Sequence, residues 1–163
     1  MKKIGIISDT HGIFDAPLKS FLAEVDEIWH AGDIGSAALS DEIAAFKPLR
    51  AVYGNIDDGL TRRIWPETAD FACEGAGVLM THIGGYPGRY ETPFLRRIES
   101  SRPGVIVTGH SHILKVMYDR RHDALHINPG APGKYGFHKV RTAIRLEIKD
   151  GTIADLEVGE WKK

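Results

Sequence analysis

Residues 4–15 read IGIISDTHGIFD, an apolar run that ends by presenting Asp9 and His11 and leads toward a segment of helical spacing, Pro17–Val25. A short apolar run bounded by turn residues reads as a buried strand. Strand character of this kind recurs at Lys3–Ser8, Glu27–His30, Leu49–Tyr53, Val78–Thr81 and Val105–Thr108. Helical spacing separates the early runs, over Pro17–Val25 and Ala37–Phe46. It returns over Glu91–Ser100, where Phe94, Leu95 and Ile98 share one face. Strands alternating with helices predict a largely parallel sheet. From Leu114 onward the pattern changes to two hairpins. Leu114–Asn128 turns at Asp119–Asp123, and Thr142–Val158 turns at Asp150-Gly151, a hairpin-turn dipeptide. The expected class is α/β, with two layers of sheet and helices outside.

The remaining features bound the function. At 163 residues the chain is read as one domain, 1–163, long enough to bury a core without a disulfide or a structural metal. The formal net charge is −1, and the pairs Arg62-Arg63, Arg96-Arg97 and Arg120-Arg121 are scattered, so no extended nucleic-acid surface is expected. A small anionic substrate fits this balance. Cys73 is the single cysteine, which excludes an intrachain disulfide and a cysteine-based zinc site. The first apolar stretch meets Asp9 too soon for a signal peptide, and no segment has the length of a membrane span. A cytoplasmic location is expected.

The informative feature is how the apolar runs end. The first gives Asp9 and His11, EIWHAGD gives Asp33, RAVYGN gives Asn55, GVLMTH gives His82, and GVIVTGH gives His110 and His112. Five strand candidates thus each end in a side chain able to bind a metal. Taken singly, these residues have ordinary readings: Asp9, Asp33 and Asn55 as turn residues, His82 as a partly buried histidine. Repetition at five strand ends favours the metal. In parallel α/β sheets the carboxyl ends of the strands share one edge, where ligands bind. Gly32, Gly54 and Gly109 directly precede three of the candidates and permit close backbone approach there. Residues two apart in an extended segment point the same way, which pairs Asp9 with His11 and His110 with His112. Two carboxylates, one amide and four imidazoles without a thiolate suit Mn, Fe, Zn, Co or Ni better than Ca or Mg.

In order along the chain, SDTHG, HAGD, GNID, THIGG, GHSH and INPGAPG resemble the conserved blocks of the calcineurin-like metallophosphoesterase superfamily, in particular its small bacterial and archaeal phosphodiesterases. The resemblance spans Ser8 to Gly133. It implies two facing mixed β-sheets flanked by helices, an αββα sandwich. It also implies two divalent transition-metal ions, with manganese the leading candidate. One would be held by Asp9, His11, Asp33 and His112. The other would be held by Asp33, Asn55, His82 and His110, with Asp33 bridging. Asp33, Asn55 and His82 are the expected catalytic residues. The sequence departs from the wider family at Ile56, where many members carry a histidine, and at Gly84, where another histidine is common. Asp57 is read as an acceptor for a ligand histidine, with a plain turn role as the alternative.

The implied reaction is hydrolysis of a small phosphodiester by a hydroxide bridging the metals, since bound cations depress water's pKa strongly. With isoleucine at 56, substrates whose leaving group needs little protonation are favoured. The Gly84–Tyr90 loop reads as a connection into the following helix, or as a rim that brings Tyr86 or Arg89 to the substrate. His30 reads as structural, and His122, His126 and His138 carry no assigned role. The alternatives are a phosphomonoesterase and a non-catalytic scaffold, as in the retromer-type sorting subunit of similar fold. A homo-oligomer is also allowed.

Overall fold

The computed structural model describes residues Met1–Lys163. The order is β1 (Lys2–Ile7), α1 (Ala16–Phe21), β2 (Glu27–His30), α2 (Ala37–Phe46), β3 (Leu49–Ala51), α3 (Gly59–Ile64), β4 (Thr68–Cys73), β5 (Ala76–Thr81), α4 (Thr92–Ser101), β6 (Val105–Val107), β7 (Leu114–Asp119), β8 (Ala124–Pro129), β9 (Val140–Lys149) and β10 (Thr152–Lys162). These strands form two five-stranded sheets, ordered β10-β9-β1-β2-β3 and β4-β5-β6-β8-β7. Both are mixed. β1, β2 and β3 run parallel, as do β5, β6 and β8, and antiparallel strands complete each sheet. The expectation of two facing mixed sheets with helices outside is met.

Side-chain alternation explains the layering. Along β1, Ile4 and Ile6 enter a core built from both sheets with Trp29, Val78, Met80, Val107, Ile144 and Leu146. Ile7 points the other way, into a second cluster with Leu18, Leu22, Ile28, Leu39 and Ile43 that seats α1 and α2 on the first sheet. The amphipathic face expected near Glu91–Ser100 is real: Phe94 and Ile98 of α4 pack on Leu79 and Ile106 of the second sheet. A sheet needs cover on both faces when its strands are apolar throughout, and these three clusters supply it.

Two elements escape the sequence reading. α3 has only six residues and little apolar spacing; its start is fixed by Asp58, whose carboxylate accepts from the Thr61 backbone N–H at 3.0 Å. β4 is an edge strand of mixed burial, with no apolar run to reveal it. Boundaries also move: α1 ends at Phe21 and β3 at Ala51, although Leu22, Val25 and Val52 beyond those ends are still buried.

Candidate metal centre

The carboxyl ends of β1, β2, β3, β5 and β6 deliver the seven candidate side chains to one edge shared by both sheets. Two clusters could each hold an ion: Asp9 with His11 and His112, and Asp33 with His82 and His110. Each draws on both sheets, since the loops after β1 and β2 leave the first sheet and those after β5 and β6 leave the second. In the first cluster, Asp9 Oδ1 lies 3.7 Å from His11 Nε2 and 3.1 Å from His112 Nε2. Asp33 stands between the clusters, with Oδ2 3.4 Å from His11 Nε2 and 3.2 Å from His82 Nε2. Asn55 is exposed at the rim, its Oδ1 3.1 Å from His110 Nδ1.

The backbone differs from expectation here. Asp9, His11, Asp33, His110 and His112 all have left-handed φ, between 45° and 71°. The pairs Asp9/His11 and His110/His112 are therefore not extended, and His110 and His112 serve different clusters. Non-glycine residues in this region cost energy and persist only where surroundings enforce them. The enforcement is visible: Asp9 N donates to Gly32 O at 2.8 Å, His11 N to Asp33 O at 3.0 Å, and His110 N to Asp9 Oδ2 at 3.0 Å. Close approach is equally demanding at Gly54, where a Cβ would sit 2.1 Å from Asp33 Oδ1.

Charge in the site is unbalanced. Burial opposes ionisation of Asp9, which is fully inaccessible, yet the nearby imidazoles of His11, His112 and His82 and the hydrogen bond from the Ser8 hydroxyl hold its carboxyl far below the usual range. Burial also works against the Asp33 carboxylate, and His82 again outweighs it, so that Asp33 too is held low. The reciprocal effect raises His82, because Asp33 and Asp9 outweigh its own burial. Nevertheless Asp9 Oδ1 and the Nε2 atoms of His11 and His82 are buried without a hydrogen-bond partner. Buried polar atoms in native proteins are nearly always satisfied. A carboxylate oxygen and imidazole nitrogens left bare and turned toward one another fit a divalent cation with mixed N and O ligation. His82 is oriented for it, since its Nδ1–H donates to Ala31 O at 2.7 Å and leaves Nε2 with the lone pair.

Asp57 contacts no ligand histidine. Its carboxylate accepts from the backbone N–H groups of Ile34, Gly35 and Gly54 at 3.2, 3.0 and 2.8 Å, tying the Asp33 loop to the Asn55 loop. Arg62 secures the same loop from the other side by donating to the carbonyls of Asp57 and Asn55. At position 56 only the backbone reaches the site, with the Ile56 N–H donating to Asp33 Oδ1 at 3.0 Å. Gly84 has no room for a larger residue, because a Cβ would lie 2.8 Å from the side chains of Phe94, Thr108 and Thr81. His30 is structural: it is fully buried, its Nε2 lies 2.9 Å from the Thr10 hydroxyl, and its Nδ1 accepts from Gly32 N–H. His122 pairs with Asp119 at 2.8 Å and His126 with the Thr108 hydroxyl at 3.0 Å. His138, outside every ligand block of the sequence, touches His112, Nδ1 to Nδ1, at 3.1 Å.

Two pockets flank the cluster of Asp33, His82 and His110. One, of about 160 Å³, is lined by His110 together with Tyr86, Glu91 and Lys115. Another, of about 220 Å³, is lined by Asn55 and His82 together with Tyr53, Arg62 and Glu67. Ile83 borders both. Arg89 lines neither.

The chain matches the calcineurin-like phosphoesterase superfamily domain over residues 1–151. It belongs to that superfamily. A probable metallophosphoesterase of Methanothermobacter thermautotrophicus is 31% identical over 140 residues, covering 79% of this chain and 76% of the archaeal one. Among solved structures, Vps29 of Chaetomium thermophilum superposes with a TM-score of 0.75 at 16% identity, over 100% of both chains. An archaeal phosphodiesterase superposes with a TM-score of 0.74 at 23% identity, over 96% of this chain and 99% of that one. These two likenesses establish the shared fold. The superfamily assignment and the two His/Asp clusters together mark the chain as a metallophosphoesterase.

Proposed function

We propose that this metallophosphoesterase is a binuclear phosphodiesterase acting on small diesters. Asp9, His11, Asp33 and His112 would hold one ion, and Asp33, Asn55, His82 and His110 the other, with Asp33 common to both. The ions, manganese first and Ni, Co, Fe or Zn as alternatives, would neutralise phosphate charge and make water acidic enough to supply hydroxide near neutral pH. The protein's own groups do the rest. Asp33 is fixed by the Ile56 N–H, His82 by Ala31 O, and the exposed Asn55 offers amide N–H groups to a phosphate oxygen.

The observation that carries the diester reading is the pair of pockets on either side of Ile83, both bordering the cluster of Asp33, His82 and His110. A monoester has one substituent on phosphorus and a diester has two. The two pockets are chemically alike. Tyr86 carries Lys115 Nζ 4.9 Å from its ring centroid, with Glu91 nearby; Tyr53 carries the Arg62 guanidinium at 4.7 Å, with Glu67 nearby. An aromatic ring, a cation and a carboxylate suit polar arms such as sugars or heteroaromatic bases. The side chain at 56 is an exposed isoleucine and supplies no proton to a departing oxygen, which favours good leaving groups.

Metal-stripped protein assayed on a chromogenic phosphodiester and the matching monoester, with Mn, Ni, Co, Zn and Mg added separately, tests this. Metal-dependent cleavage of the diester with little of the monoester is expected. Preference for the monoester would refute the diesterase reading. Two bound ions with no cleavage of either would turn it toward a scaffold.

A further inference from the structure

We propose that the loop Gly133–His138 holds His112 as a preset metal ligand, with His138 as the positioning residue. The proposal rests on the binuclear reading above and adds a residue to it. The carbonyl of Gly133 can only accept a hydrogen bond, so the His138 Nε2 that lies 2.8 Å from it carries the proton. Neutral His138 then has a bare lone pair on Nδ1. That lone pair faces His112 Nδ1 at 3.1 Å, so His112 must donate Nδ1–H. This choice of tautomer leaves the lone pair of His112 on Nε2, the atom 3.1 Å from Asp9 Oδ1. Two acceptors at that distance are reconciled only by a proton or a cation between them. Metal-bound histidines commonly pass their other N–H to a carboxylate or a carbonyl. Here a second imidazole, itself anchored on a carbonyl, takes that place.

The loop is shaped for this contact. Gly136 has φ +122°, and a Cβ there would come within 2.3 Å of His112 Nδ1 and 2.6 Å of its Cε1. Only glycine lets the chain close over the ring. At the start of the loop, a Cβ on Gly133 would lie 2.5 Å from Thr10 O and 2.6 Å from Asp9 O. Between them, the Tyr135 ring stands 5.0 Å from that of His11. The loop therefore touches the surroundings of Asp9, His11 and His112, the whole first cluster, whereas none of these contacts reaches His82 or His110. Its effect should be confined to one of two metal equivalents.

Calorimetric titration of metal-stripped protein with Mn²⁺, repeated with Zn²⁺, tests the proposal without any substrate. His138→Ala should weaken one equivalent about 10–100-fold, the range for losing an outer hydrogen-bond partner of a ligand, and leave the other unchanged. His138→Gln, whose amide oxygen can accept from His112 Nδ1–H, should recover part of the loss. Gly136→Ala should weaken the same equivalent with His138 intact, which keeps the test open if His138→Ala does not fold. Two wild-type affinities in His138→Ala, with or without a lower melting temperature, would overturn the role of the loop. Asp33→Ala separates this failure from that of the parent reading: if it retains both ions, the binuclear assignment itself falls.

Discussion

Replacing Asp57 by alanine should unfold the site from behind, and the size of the effect can be worked from its contacts. The side chain is 4% exposed and accepts three backbone N–H groups, two from the loop after β2 and one from the loop after β3. A hydrogen bond to a charged group contributes about 1.5–3 kcal/mol, and a buried donor left bare costs about 1–3 kcal/mol. Three such bonds sharing one carboxylate are not independent, and water can enter part of the space. A loss of about 4 kcal/mol is therefore expected, a large share of the roughly 5–15 kcal/mol that holds a domain folded. Asp57→Asn should be nearly as costly. Its amide keeps one acceptor oxygen but turns an NH₂ group toward at least one of the donors. Urea unfolding of metal-free protein, with fluorescence of the tryptophans as readout, measures the loss. Metal titration should show both equivalents weakened, because the Asp33 and Asn55 loops lose their common tie. A change of less than about 1 kcal/mol in Asp57→Ala would refute the view that this carboxylate is a structural clamp.

Other expectations are simpler to state. Asp33→Ala should lose both ions and nearly all phosphodiester cleavage, while His122→Ala, which is bound to Asp119 and in neither cluster, should keep both. Metal analysis after dialysis, run beside the activity assay, decides between them. Stability of the metal-free protein should fall in mild acid. Burial pushes His30 and His126 from an ordinary value of 6.5 down to about 4. The unfolded chain takes up these protons below 6.5 and the folded chain does not until about 4, so the stabilising contribution is complete above 6.5 and is lost as pH falls between those values. Each histidine accounts for about 3 kcal/mol over that window. His126→Asn should roughly halve the slope, and a flat stability between pH 7 and 5 in both proteins would contradict the assignment.

The sequence revealed the candidate metal ligands because each follows an apolar run directly, so a local pattern was enough to place Asp9, Asp33, Asn55, His82 and His110 at strand ends. It also suggested the sheets, since strand and helix spacing are local too. Asp57 was misread because its partners are backbone groups, two of the three on the distant loop after β2, which carry no side-chain signature. His138 was invisible for a similar reason: it reaches His112 only after the Gly133–His138 loop has docked. The left-handed backbone at five ligands could not be anticipated either. Asp and His tolerate that region better than most residues, but nothing in SDTHG or GHSH distinguishes it from an extended pair.

Because each cluster takes side chains from both sheets, bound ions would act as a clasp across the open edge of the sandwich. The inter-sheet core of Ile6, Met80, Val107 and Ile144 resists separation of the layers but not, by itself, small sliding of one over the other. Ions seated between Asp9 and His112, and between Asp33 and His82, would resist that sliding directly. Loading should therefore slow amide exchange at the ends of β1, β2, β5 and β6 well beyond the residues that touch metal. Spacing between the two ions, in turn, would be set by how the two halves of the sandwich are seated on each other.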